Sequence, residues 1–242
     1  MAHGYGGMIM KIEIWSDFAC PFCYIGKVRF EEALASFKHK NKVEVIYKAY
    51  QLNPDAPKVM KGTAYESFAK GHGTTIEQAK ERFKMFTQNA KSVGLTYNYD
   101  IIQMTNTFDA HRLTKWANTL GKENELASRF MKAYFTDGLN LADYETLAHL
   151  AEEVGLSKED ALHVLNKDEY KDQVKQEQLE AKQIGVQGVP FFVLNRKYGI
   201  SGAQQTAYFK QALEQIWAEE NPLQTIGDQD ENQACDHDEC GF

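Results

Sequence analysis

The chain has 242 residues, of which 25% are charged and 43% hydrophobic, and a formal net charge of −7. That balance excludes a disordered, collagenous or membrane-spanning chain, and the acidic sign gives no global reason to expect nucleic acid as a partner. Four cysteines are too few to staple a fold of this length, and they fall as two close pairs, Cys20 with Cys23 and Cys235 with Cys240.

The charge is concentrated at one end. From residue 219 onward there are eight acidic residues and no Lys or Arg, which leaves 26 acidic against 27 basic residues in the rest. Residues 219–242 therefore read as an acidic, mobile tail, and residues 1–9 as a flexible leader without the basic and apolar regions of a secretory signal. No segment reaches the about 18 consecutive apolar residues of a transmembrane helix. The expectation is a cytoplasmic protein, in which cysteines are reduced, catalytic or metal-bound.

In chain order, Lys11 to Trp15 alternates polar and apolar residues as a strand does. Cys20-Pro21-Phe22-Cys23 follows, and then an amphipathic helix of about four turns marked by Ile25, Phe30, Ala33 and Phe37. Val43 to Tyr50 reads as a second strand that ends at Asn53-Pro54, Asn53 being a turn or a cleft residue. From about 54 to 184 the pattern is almost wholly helical. Its clearest helix runs from Ile76 to Val93, with Thr75 and Gln78 as a capping box and Gly94 as a stop. Further helices are expected near 107–120, 123–136, 143–154, 157–166 and 168–184. After Gly185 a buried strand, Phe191 to Leu194, precedes an edge strand at Gly199 to Ser201 and a helix from Thr206 to Glu219. The order describes an α/β unit split by an all-helical block of about 130 residues, enough for its own core.

The sharpest chemical signal is the C-x-x-C between a strand and a helix. With Cys20 at the helix N-terminus and Cys23 one turn in, the two sulfurs are close enough to bond. Cys20 is then expected to stand exposed and Cys23 to be sheltered. Unpaired N–H groups at the helix end favour a thiolate at Cys20, and Pro21 fits a first turn that needs no N–H donor. The expected cycle is attack by Cys20 on a disulfide and resolution by Cys23, with the disulfide itself as the redox group and no other cofactor. The rival is half of a zinc site completed by Cys235, Cys240 and His237; the strand-to-helix context favours redox chemistry, so no resident metal is expected.

Three features converge: Trp15 to Gly26 around the C-x-x-C, the helical insertion, and Gly188-Val189-Pro190-Phe191-Phe192. Together they resemble the DsbA-like thioredoxin-fold oxidoreductase family, specifically its FrnE-type branch. The resemblance implies a thioredoxin-like domain formed by residues 10–53 and 185–218, interrupted by a helical insertion domain over 54–184. It implies that Pro190 is a cis proline facing the cysteines and that Val189 offers backbone groups to a peptide or to glutathione as co-substrate. Pro21 and Phe22 would then border the substrate. The segment Asn106 to Leu113 also resembles a recurring part of this branch. It makes Asn106 and His111 candidates for substrate binding or thiolate tuning, against a helix-capping Asn106 and a structural histidine.

Glutathione transferases of the kappa class and 2-hydroxychromene-2-carboxylate isomerases share this split architecture but typically carry serine at the position of Cys20. The alternative function is therefore a glutathione-dependent isomerase or transferase, and a second alternative is a metal-binding or client-holding module. The terminal pair, Cys235 and Cys240, is an auxiliary redox couple by resemblance, a metal trap with His237, or two incidental thiols. The expected partner is a disulfide-containing protein or a small thiol, not nucleic acid or membrane.

Overall fold

A computed structural model of the protein describes residues 9–222. Most of the leader and the acidic tail lie outside the described residues, as do Cys235 and Cys240 with the redox and metal readings attached to them.

Strand β1 (Met10–Ser16) leads into helix α1 (Pro21–Ser36), which crosses over to strand β2 (Val43–Ala49). The helical block comprises α2 (Ala64–His72), α3 (Ile76–Lys91), α4 (Phe108–Thr119), α5 (Glu123–Lys132), α6 (Tyr144–Glu153), α7 (Lys158–Asn166) and α8 (Lys171–Gln183). Strands β3 (Phe191–Leu194) and β4 (Tyr198–Ser201) and helix α9 (Thr206–Glu220) complete the chain. The sheet order is β2-β1-β3-β4, with β1 parallel to β2 and the other pairs antiparallel. This is a mixed α/β thioredoxin-like sheet carrying a helical insertion between β2 and β3.

The alternation read in β1 sorts its side chains onto two faces. Met10, Ile12 and Ile14 pack with Phe30, Ala33, Phe209 and Leu213 under α1 and α9. Trp15 turns to the opposite face against Ala181 of α8, where its indole N–H donates to the Glu177 carbonyl at 2.9 Å. Helix α1 serves two cores: Cys23 and Ile25 face the insertion, while Phe30 and Ala33 face the sheet. The insertion's buried cluster is built mostly from its own helices and also takes in Phe18, Cys20, Cys23 and Ile25.

The expected helices form, with shifts at their ends. The Thr75–Gln78 capping box opens α3, and Gly94 (φ +78°) follows its last turn in a conformation that favours glycine. Helix α2 has its own capping box, Thr63 with Glu66. The stretch expected near 123–136 is α-helical to Lys132 and then widens into a π-turn over Ala133–Asp137. Residues 95–107 are largely irregular rather than helical.

Strand β2 lies at the sheet edge, where unpaired backbone groups would invite another strand. The insertion satisfies them with buried charged side chains. Glu123 accepts the Tyr47 N–H at 3.3 Å, Glu177 accepts the Ala49 N–H at 2.7 Å, and Lys115 donates to the Tyr47 carbonyl. Lys115 bridges both carboxylates, at 2.8 Å from Glu123 and 3.4 Å from Glu177. Burial pushes the Glu123 carboxyl up from its ordinary value, and Lys115 pulls against that rise. Breaking a buried pair by removing one partner strands the remaining charge, at a cost of about 3–5 kcal/mol. Lys115→Met is expected to lower unfolding free energy by roughly that amount in urea titration; a change under about 0.5 kcal/mol, the scale of ordinary surface substitutions, would show that the clasp carries no stability.

Candidate active site

The pairing of β1 with β3 ends at Trp15 opposite Phe191, so the segment before β3 lies beside the chain entering α1. Cys20 is the N-cap of α1 and Pro21 its first residue. Cys20 Sγ donates to the Val189 carbonyl at 3.4 Å, across 169 residues of sequence, and the Val189–Pro190 peptide bond is cis. Pro190 packs against α1 at Gly26, where an added Cβ would lie 3.0 Å from the proline Cγ. Gly26, six residues after Cys20, thus leaves little room for a side chain between α1 and Pro190.

Both sulfurs are free, and they lie within hydrogen-bonding reach of each other. Cys23 is 1% exposed, and burial together with the neighbouring Cys20 pushes its thiol well above the ordinary value. The Ser16 hydroxyl and the Asp17 N–H, which donates to Cys23 Sγ at 3.5 Å, counter that rise. The expectation of an exposed Cys20 is corrected: it is only 4% exposed. The cause is the insertion, which brings Tyr97 and Tyr99 over the dithiol. Tyr97 donates its hydroxyl to the Pro21 carbonyl at 2.6 Å, and desolvation raises both phenols.

Asp17 joins the pieces. It is 1% exposed, and its carboxylate accepts the Leu52 N–H at 2.7 Å, the Thr107 hydroxyl at 2.8 Å and the Ala19 N–H at 3.4 Å. His111 is buried behind it, with Nε2 at 3.5 Å from Asp17 Oδ1 and its ring against Phe18. Of the readings of His111, this buried position beside Asp17 fits thiolate tuning or a structural role more readily than substrate binding.

Asn106 is also corrected. Its side chain donates to the Pro54 carbonyl at 2.8 Å and accepts from Gln51 and from the Phe108 N–H, so it staples the 53–57 turn and caps α4. Asn53 accepts the Asp55 N–H at 3.1 Å, the turn alternative.

Beside Val189 runs an open groove of about 350 Å³, lined by Phe22, Ile25, Arg29, Asn89, Ala203 and Gln205 among others. Phe22 is 37% exposed and meets Phe86 of α3 edge-on. Among the described residues, no group of three or more His, Cys, Asp or Glu side chains is placed to hold a metal ion. Nor is any helix there long and apolar enough to cross a membrane.

The model of the DsbA-like thioredoxin domain matches residues 11–214. The chain belongs to this family. The crystal structure of a probable DsbA oxidoreductase from Streptomyces coelicolor is 39% identical, with a TM-score of 0.82 over 96% of this chain and 99% of that one. More distant likenesses, which concern the fold alone, are to a 2-hydroxychromene-2-carboxylate isomerase and to the cytosolic disulfide reductase DsbM of Pseudomonas aeruginosa with glutathione. The isomerase is 14% identical with a TM-score of 0.66, over 89% of this chain and 100% of that one. DsbM is 15% identical with a TM-score of 0.62, over 86% and 98%.

The sequence motif contains Asp17 and Gly26 but gives neither a role by itself, and Tyr97 and Tyr99 lie in a stretch without periodic signal. An acid three residues before the first cysteine was the one local signal available. Because the Cys23 thiol is shielded and raised, native iodoacetamide treatment at pH 7 should label Cys20 and spare Cys23 until the chain is unfolded. Peptide mapping by mass spectrometry reads this directly, and faster labelling of Cys23 would contradict the geometry.

Proposed function

We propose that the protein is a thiol–disulfide oxidoreductase whose working group is the Cys20–Cys23 dithiol. The observation that carries this reading is a pair of free, adjacent sulfurs at the first turn of α1, with Cys20 against the Val189–Pro190 segment. Cys20, at the N-cap of α1, is the attacking sulfur. Its attack on a substrate disulfide forms a Cys20–substrate bond and expels one substrate thiolate. Cys23 then attacks Cys20 Sγ, the mixed disulfide breaks, and the second substrate thiolate leaves with the electron pair. The substrate gains two electrons and the protein holds the Cys20–Cys23 disulfide; the reverse sequence oxidises a dithiol.

The groove bordered by Phe22, Val189 and Arg29 supports a partner with both apolar and polar parts. A peptide disulfide or glutathione meets that description, and the glutathione held by the DsbM structure is consistent with it. Our reading extends to the FrnE-type branch, on the Trp15 to Gly26 and Asn106 to Leu113 segments, and to a cytoplasmic setting like that of the cytosolic reductase DsbM.

The glutathione-dependent isomerase, whose fold likeness is noted above, needs only one sulfur or the bound glutathione, so it predicts turnover that survives Cys23→Ser. The oxidoreductase reading predicts the opposite. In insulin-reduction and dithiol-oxidation assays, Cys20→Ser should abolish turnover, and Cys23→Ser should stop after one step with a trapped mixed disulfide at Cys20. Equal rates for wild type and Cys20→Ser would sink the reading.

A further inference from the structure

The resolving step has a difficulty that the attacking step lacks. Cys23 must become a thiolate, yet burial and the adjacent Cys20 hold it as a thiol. A proton acceptor has to stand behind it. The groups behind it are Ser16, Asp17 and His111, all buried.

Ser16 lies in hydrogen-bonding range of the Cys23 sulfur. Its side and that of His111 line one small cavity of about 10 Å³, together with Thr114 and Lys115. That volume matches the room a single water needs, and the walls offer polar partners. The His111 Nε2 is buried without a hydrogen-bond partner and stands 3.5 Å from Asp17 Oδ1. An unpaired buried ring nitrogen is costly, so this one is poised to take up a proton or a partner. The order acid, imidazole, hydroxyl, thiol is that of an activated nucleophile whose base is oriented by a third group.

We propose that His111, backed by Asp17, accepts the Cys23 proton through Ser16 and the cavity beside it during resolution of the mixed disulfide. The inference rests on the dithiol reading above. The proton passes from Cys23 to the imidazole, the Cys23 thiolate bonds to Cys20 Sγ, and the bond from Cys20 to substrate breaks with a substrate thiolate leaving. Cys23 and Cys20 end oxidised as a disulfide, and the substrate sulfur ends reduced. His111 touches no substrate; it acts on the sulfur that never meets substrate.

The surrounding charges are accounted for. From its own helix Lys115 faces the cavity, neutralised by Glu123 and Glu177. From β2, Lys48 faces it, paired with Glu13 and Glu180, beside the phenol of Tyr47. Helix α5 contributes only Ala127 and Met131. The Tyr134 phenol feels the Asp17 charge, but burial keeps it protonated, pushed up from its ordinary value. The negative charge that faces the ring directly is Asp17.

The test uses the full-length chain with Cys235 and Cys240 changed to serine, so that two thiols remain, reacted with the aromatic disulfide 5,5′-dithiobis(2-nitrobenzoate). The first coloured thiolate released reports attack by Cys20 and the second reports resolution by Cys23. His111→Gln should leave the first release unchanged and slow the second at least about tenfold at pH 7, below the usual contribution of a positioned base. The deficit should shrink as pH rises toward 9.5, where Cys23 ionises to a growing extent without help. Ser16→Ala, which keeps the imidazole but removes the link, should reproduce the second-phase defect and decides the matter if His111→Gln does not fold. A second release within twofold of wild type, or one slowed by the same factor at every pH as a merely structural role would give, overturns the proposal. Absence of the first release in the wild type overturns the dithiol reading as well.

Discussion

One buried carboxylate holds the reactive region in register. Asp17 leaves the sheet just ahead of α1 and takes hydrogen bonds from the segment after β2 through Leu52, from the insertion through Thr107, and from its own turn through Ala19. Its amide reaches the Cys23 sulfur. Charge-assisted hydrogen bonds of this kind are worth roughly twice a neutral one, and a buried carboxylate that lost them would be expensive. The position of the dithiol is thus tied to where the insertion lies, and a shift of the insertion would be felt at the sulfurs.

A second buried electrostatic device fixes the insertion itself. Lys115, Glu123 and Glu177 come from three different helices of the block and converge on the outer edge of β2. Main-chain groups that a fifth strand would otherwise take are given to side chains. The sheet therefore ends at four strands on that side, and the helical block has one seat rather than a sliding contact. With Trp15 donating to the Glu177 carbonyl, the same helix α8 also covers the far face of β1.

Much of this was legible in the sequence because it depends on local period and local chemistry. The alternation of Lys11 to Trp15, the Thr75–Gln78 box and the C-x-x-C at a strand-to-helix junction each report on neighbours a few residues away. What escaped depends on distance. Cys20 was expected at the surface because its own helix would leave it there; Tyr97 and Tyr99 cover it from an irregular stretch with no periodic signature. Nothing in its local sequence marks Lys115 as buried, and only its two remote carboxylates and the edge of β2 explain its burial. Asn106 looks chemical in a list of residues, yet its capacity for hydrogen bonds is used up by a turn fifty residues away.

The separation of Cys20 from Val189 by 169 residues has a consequence for how the molecule is made. A ribosome adding about 5–20 residues per second needs on the order of ten seconds or more to travel from one to the other. Through that interval the two thiols exist without the strand segment and helices that later enclose them. The nascent chain passes through a period when its cysteines lack their full cover, which is complete only when both the insertion with Tyr97 and the segment at Val189 have been made. Interrupting a small fold with a large insertion thus lengthens the time for which its chemistry is unguarded.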